Sequence, residues 1–212
     1  IGLPAHLGRD WGADLDRAAA LAPEHVSLYG LTAEAGTPLG RRVQAGQEAL
    51  ADEDSYGAQF RLAAERLGAA GFVHYEVSNF AQPGRESRHN QAYWRHRAYL
   101  GIGPGAHSYL PPVRSWNVRD WAEYRSRLAT GRPAEEGREE LGPAEVGLEA
   151  VWLGLRTTDG LADGALNDAQ RTLAATWEAE GWAQRQRGRL RLTTEGWLLL
   201  DRLAVELEAR AS

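Results

Sequence analysis

Phe72-Val73-His74-Tyr75-Glu76-Val77-Ser78 is the stretch on which the fold class turns. It is rich in β-branched and aromatic residues. It follows a helical pattern over 53–70 whose apolar stripe is Phe60, Leu62, Ala63, Leu67 and Ala70, with Gly71 as the stop. Toward the N-terminus the same pairing occurs again. His25-Val26-Ser27-Leu28-Tyr29-Gly30-Leu31 follows a helix over 10–22 that opens on the N-cap Asp10 and stops at Pro23. A loop over 32–51, punctuated by Gly36, Pro38, Gly40 and Gly46, joins the two pairs. Strands alternating with amphipathic helices predict βα units, a parallel sheet and an α/β class. Two or three strands make a sheet too small to stand alone. Ile1-Gly2-Leu3-Pro4 reads as the end of a strand entering a turn, so the chain is expected to begin inside a larger domain.

After Ala81 the pattern changes. Residues 82–95 are polar and aromatic, and Tyr99 to Ser108 is studded with glycine. A helix is predicted over 119–129, and the charged, Gly- and Pro-containing stretch from Gly131 to Gly142 reads as a linker. Helices are then predicted over 143–156, 165–180 and 194–209. Two short strands around Arg187-Gly188-Arg189 interrupt them, giving the order of a winged-helix module.

The 212 residues carry 24 Lys+Arg against 29 Asp+Glu, a formal net charge of −5, and 43% hydrophobic residues. The apolar content excludes global disorder, and the acidic balance argues against a nucleic-acid partner held through phosphates. The chain has no Cys. That excludes a disulfide scaffold, a thiolate zinc site, a Cys nucleophile and an iron–sulfur cluster held by thiolates of this chain. No apolar run approaches the roughly 18–20 residues of a membrane span. The first residues also lack a signal-peptide pattern, so a cytoplasmic location is expected.

All six His lie in the first half. The densest segment is Ser87-Arg88-His89-Asn90-Gln91-Ala92-Tyr93-Trp94, where helical spacing puts His89 and Tyr93 on one face with Trp94 beside them. An imidazole among aromatic rings suits a flat, metal-bearing ligand. An ordinary His bonded to a carbonyl, with Tyr93 and Trp94 as core anchors, fits the same pattern. Along 72–78, His74, Glu76 and Ser78 fall on one face of a strand, lining either a cavity or solvent. Gly101-Ile102-Gly103-Pro104-Gly105 brings backbone N–H groups together without the Lys of a phosphate loop, and a tight bend explains it equally. Arg185, Arg187, Arg189 and Arg191 alternate along the predicted hairpin, as a solvated face or as a phosphate-binding row.

Six motifs succeed one another: Ile1-Gly2-Leu3-Pro4; His25 to Thr32; Gly36-Thr37-Pro38-Leu39; His74 to Ala81; Ser87 to Trp94; and Tyr99 to Ser108. In that order the chain resembles the heme chaperone branch of the radical S-adenosylmethionine proteins related to oxygen-independent coproporphyrinogen III oxidase. The resemblance extends to the end, through Arg189-Leu190-Arg191-Leu192-Thr193 and Glu195-Gly196. It implies the C-terminal part of a radical SAM partial (β/α)6 barrel followed by a small α+β winged-helix-like domain. The divisions would be barrel and heme-binding segment over 1–110, helix and linker over 111–142, and the winged-helix-like domain over 143–212.

The resemblance further implies a chaperone that binds heme and delivers it to acceptor apoproteins. His89 would be the heme-iron ligand, with Asn90, Tyr93 and Trp94 completing the heme-binding segment. S-adenosylmethionine contacts would fall near Thr32 and His107, where the residue types differ from the oxidase pattern. A [4Fe-4S] cluster would sit on a three-cysteine motif upstream. At roughly 30 residues per βα unit, five further units would be about 150 residues. Membrane-associated respiratory proteins among the acceptors, and a homodimer, are further expectations of the resemblance. The alternatives are an oxidative decarboxylase of coproporphyrinogen III or a heme-directed radical enzyme, and, from another class, a winged-helix nucleic-acid-binding module.

Overall fold

The computed structural model describes residues 1–211. Helix α1 (Trp11–Ala20) starts where the Asp10 side chain accepts the Ala13 N–H at 3.0 Å. Strand β1 (His25–Ser27) is shorter than the predicted 25–31. The expected loop over 32–51 contains a helix, α2 (Pro38–Gln44). Thr37 caps it by accepting the Gly40 N–H at 3.0 Å, and Pro38 occupies the first turn, where a missing N–H costs nothing. Helix α3 (Glu53–Ala69) begins on Asp52, which accepts the Ser55 N–H at 2.7 Å. Leu15, Ala63, Leu67, Phe72 and Phe80 pack together between α1, α3 and the first sheet.

That sheet is not the parallel one expected. Strand β2 (Val73–Glu76) turns sharply through Val77-Ser78 into β3 (Asn79–Ala81), which lies between β1 and β2 and runs antiparallel to both. The Glu76 side chain causes the reversal. Its carboxylate accepts the Ser78 N–H at 3.3 Å and a short bond from Asn79 Nδ2, tying the turn to itself. A register shift between His74 and Glu76 also ends the simple alternation, so Tyr75 and Glu76 are both buried. The expected shared face of His74, Glu76 and Ser78 therefore does not form, because Ser78 lies in the turn.

Helix α4 (Arg88–Trp94) leads to the hairpin β4 (His107–Leu110) and β5 (Val113–Asn117). Helix α5 (Trp121–Ala129) matches its prediction, capped by Asp120. The stretch read as linker holds strand β6 (Glu135–Glu140), antiparallel to β5. Glu-Glu-Gly-Arg-Glu-Glu has no strand propensity of its own. It is held because Arg114 pairs with Glu139 at 3.0 Å and because Gly137 leaves room for the Trp116 ring that a Cβ would strike.

The remaining elements are α6 (Pro143–Leu155), β7 (Leu161–Ala162), α7 (Asp168–Ala179), β8 (Ala183–Gln186), β9 (Arg189–Leu192), α8 (Thr194–Leu198) and α9 (Leu200–Glu208). The predicted helix–helix–hairpin–helix order is present, with β7 added as a third strand against β9. The single helix expected over 194–209 is broken at Leu199, whose φ of −110° and i→i−3 bond to Gly196 end α8. Leu155, Leu190, Leu203 and Leu207 are wholly buried here around Trp177, each contributing roughly 1.5–3 kcal/mol of burial. The cluster extends to Phe60 of α3 and takes in Ile1 and Val77 at its margin. Among the described residues no helix is long and apolar enough to cross a membrane.

Candidate functional site

Helix α4 is positioned from below by Tyr75. The Tyr75 hydroxyl accepts the Ser87 N–H at 3.2 Å and lies 2.9 Å from His25 Nε2. Burial lowers the His25 pKa, which favours the neutral ring beside the Tyr75 hydroxyl. Ser87 then caps α4 by accepting the Asn90 N–H at 3.2 Å. This fixes where the first turn starts, and with it where His89 points.

His89 is exposed, and among the described residues neither ring nitrogen has a hydrogen-bond partner. Tyr93, one turn on, stands edge-to-face against it, with centroids 4.8 Å apart and planes at 89°. Tyr93 in turn meets Tyr99 at 4.5 Å, and Tyr99 leads to Tyr109 at 6.3 Å. Asn90 is half-buried, its backbone engaged by Ser87. Trp94 points the other way. The Arg156 guanidinium covers its ring at 4.9 Å, its Nε1 is buried without a partner, and it lines a separate 270 Å³ cleft with Tyr75, Gln91 and Thr157. The structure thus gathers His89 and Tyr93 on one side of α4 and places Trp94 on the other.

A 250 Å³ cleft opens beside Tyr93, between α4, the β4–β5 hairpin and α6. Tyr93, Tyr99, Tyr109 and Trp152 wall it, and His96, Arg114 and Glu149 form a polar knot at its side. Glu149 accepts two bonds from Arg114, at 2.7 and 2.8 Å, and faces His96 Nε2 at 2.8 Å. Burial works against the charged Glu149 carboxylate, but the Arg114 and His96 hydrogen bonds outweigh it and hold its pKa below the usual value. Sequence reading missed Tyr99, Tyr109, Arg114, Glu149 and Trp152 as a group. They come from four separate segments, and no local spacing links them.

His74 is packed away from this site. Its ring stacks on Phe80 at 3.9 Å and meets Trp197 and Phe60 edge-on, and burial lowers its pKa to about 4. Glu76 is fully buried beside it, and its pKa is raised by that burial. Glu76 is closed off from solvent and His74 is largely so.

Thr32 lies exposed on the loop after β1, beside the Leu31 N–H bond to the Ile1 carbonyl. His107 is exposed at the start of β4, its ring tilted 6.0 Å from Trp116. The two sheets that carry them share no strand, and no hydrogen bond joins the pair among the described residues. The chain has no Cys, and among the described residues no group of three or more metal-ligating side chains gathers, so an iron–sulfur cluster does not fit these residues. In the hairpin row, Arg185 pairs with Asp163 and Glu178, Arg189 bonds the Asp159 and Gly160 carbonyls, and Arg191 bonds Gln186. That leaves Arg187 at the turn as the one member of the row with no such bond among the described residues.

No family profile matches the chain. It is 40% identical over 200 residues to a protein named heme chaperone HemW from Mycobacterium tuberculosis, covering 94% of this chain and 51% of that one. It is 37% identical to another of that name from Synechocystis, over 81% of this chain and 42% of the relative. It is 33% identical to mouse mitochondrial radical S-adenosyl methionine domain-containing protein 1, over 95% of this chain and 46% of the relative. Its fold is similar to that of coproporphyrinogen III oxidase (HemN) from Escherichia coli, described as a radical SAM enzyme. The TM-score there is 0.66 at 16% identity, covering 92% of this chain and 50% of that one. The chain is therefore a homologue of the proteins named heme chaperone HemW, and spans about half the length of the curated relatives it matches.

Proposed function

We propose that this chain is the heme-binding portion of a heme chaperone, with heme as cargo that is taken up and passed to acceptor apoproteins. The observation that carries the reading is His89: an exposed imidazole with no hydrogen-bond partner on either nitrogen among the described residues, with Tyr93 edge-to-face against it and Tyr99 next to Tyr93. A neutral imidazole nitrogen is the common protein ligand of heme iron, and aromatic faces supply apolar area against a macrocycle. Asn90 completes the first turn of α4, and Trp94 anchors the helix from its other side under Arg156.

In this reading residues 1–110 belong to a radical SAM partial barrel, 111–142 form a connecting segment, and 143–212 form a winged-helix-like domain. S-adenosylmethionine and the [4Fe-4S] cluster belong to the full-length protein. The acceptors include membrane-associated respiratory proteins, and the chaperone works as a homodimer. Nucleic acid is not a partner, since Arg185, Arg189 and Arg191 of the row are spent on the chain's own acceptors and the net charge is −5.

The test is titration of the purified chain and of His89→Ala with hemin, followed by absorbance. Wild type should develop a ligated Soret band, and His89→Ala should lose it with at least about tenfold weaker binding, or roughly 1.4 kcal/mol. Identical spectra and affinities would remove His89 from the reading.

A further inference from the structure

We propose that the cleft beside α4, walled by Tyr93, Tyr99, Tyr109 and Trp152, receives the vinyl- and methyl-bearing edge of the porphyrin whose iron His89 holds, leaving both propionates in solvent. The inference rests on the heme reading above and adds which edge of the cargo is recognised, and by what.

Size gives the first reason. The cleft measures 250 Å³, below the roughly 300–1,000 Å³ of sites that enclose a whole small ligand. It suits one edge of a larger flat molecule. Charge gives the second. Arg114 is bound to Glu149 at 2.7 and 2.8 Å and to Glu139 at 3.0 Å, and His96 faces Glu149 at 2.8 Å. Among the described residues no cation lining the cleft is spare, and a carboxylate pushed inward would meet Glu149. What remains for a ligand is the faces and edges of rings. Outside the cleft, Arg88 at the start of α4 and Arg97 just beyond its end are exposed and without an ion-pair partner among the described residues. Cations outside and rings inside match an amphipathic disc with two carboxylates on one edge.

Ring geometry gives the third reason. Because the Tyr93 and His89 planes meet at 89°, the normal to the Tyr93 ring lies in the imidazole plane. The bond from an imidazole nitrogen to iron lies in that same plane, and the macrocycle stands square to that bond. The 89° angle therefore meets the condition that a heme bound to His89 and lying parallel to the Tyr93 ring imposes, and Tyr93 is itself a wall of the cleft.

The test compares hemin with two analogues: mesohemin, with ethyl in place of vinyl, and coprohemin, with two further propionates there. Each is titrated into wild type, Tyr99→Ala, Tyr99→Phe and His89→Ala. Hemin and mesohemin should bind wild type alike, and coprohemin about tenfold more weakly or worse. Tyr99→Ala should weaken hemin several-fold and shrink the coprohemin penalty while leaving the Soret position unmoved, and Tyr99→Phe should behave as wild type. Coprohemin binding wild type as tightly as hemin, or a penalty undiminished in folded Tyr99→Ala, overturns the proposal. If circular dichroism shows Tyr99→Ala unfolded, the analogue series on wild type decides alone. His89→Ala separates the two readings. An unchanged hemin spectrum there sinks the iron assignment, whereas a lost spectrum together with equal hemin and coprohemin affinities in wild type sinks only the assignment of the edge.

Discussion

Replacing His74 with Phe is expected to flatten the dependence of stability on pH between 6.5 and 4. The wild-type ring lies between Phe80 at 3.9 Å, Trp197 at 4.4 Å and Phe60 at 5.5 Å. Its Nε2–H donates to the Val77 carbonyl at 3.3 Å, and Nδ1 is buried with no partner. Protonation would place a charge among rings and a donor at Nδ1 with nothing to accept it. Burial therefore lowers the pKa from 6.5 to about 4. Above pH 6.5 the ring is neutral in both states and exacts no penalty. As pH falls from 6.5 to 4 the unfolded chain takes the proton first and stability drains away. At about 1.4 kcal/mol per pH unit the loss reaches about 3 kcal/mol, and below pH 4 it stops growing. Glu76 acts in the opposite direction, because its raised pKa makes the folded state bind the proton first. It is present in both proteins and cancels in the difference. The assay is urea unfolding followed by Trp fluorescence at pH 7, 5.5 and 4.3. His74→Phe keeps the ring stack, loses about 1 kcal/mol at pH 7 for the orphaned Val77 carbonyl, and should then lose about 3 kcal/mol less than wild type on acidification. Parallel curves for the two proteins would refute the reasoning.

Two further predictions concern packing around α8. Gly196→Ala would drive a Cβ into the Trp182 carbonyl oxygen and should cost about 1–3 kcal/mol in chemical denaturation, with a neutral result showing that the close approach relaxes freely. Arg61 grips Glu195 with two bonds, at 2.6 and 2.8 Å, but both side chains are about half exposed. Arg61→Ala should therefore move the denaturation midpoint by less than about 1 kcal/mol, and that small effect should vanish in high salt.

Where structure is decided within a few residues, the sequence was readable. Asp10 reads as an N-cap and accepts a backbone N–H at the start of α1. Asp52, Asp120, Asn167 and Thr193 do the same at the starts of α3, α5, α7 and α8, although those helices are read from their apolar stripes and not from their caps. The same chemistry at Thr37-Pro38 was overlooked because Gly36, Gly40 and Gly46 crowd it, although buried Gly40 is required where the backbone meets Glu34. The parallel sheet failed for a reason no periodicity contains. Val73 to Ser78 reads as one strand until the Glu76 carboxylate folds back on Ser78 and Asn79 and reverses the chain. Strand β6 was unreadable because its charges are held by β5 and not by any propensity. The site divides in the same way. His89 and Tyr93 are four residues apart on one helix and visible at once, whereas Tyr99, Tyr109, Arg114, Glu149 and Trp152 meet only after the second sheet and α6 have packed.

The six histidines supply an internal comparison that bears on the heme reading. His6 pairs with Glu48 at 3.2 Å, His25 with the Tyr75 hydroxyl, and His96 with Glu149. His74 is walled in by rings. In each of these, iron would have to displace a partner or open the core, and the energy of doing so would be subtracted from binding. His89 and His107 keep exposed rings with no hydrogen bond among the described residues. What lies behind them differs: the His107 ring is tilted 31° from that of Trp116 at 6.0 Å, while the His89 ring stands perpendicular to Tyr93, which is itself a wall of the ring-lined cleft. An exposed ligand also suits transfer. A heme enclosed on both faces leaves only when its protein opens, whereas one held at the surface by a single imidazole and one buried edge can be approached from its free face by an acceptor before the donor lets go. The handover rate is then set by the acceptor's concentration and not by unfolding of the donor, which is the kinetic property that separates a carrier from a store.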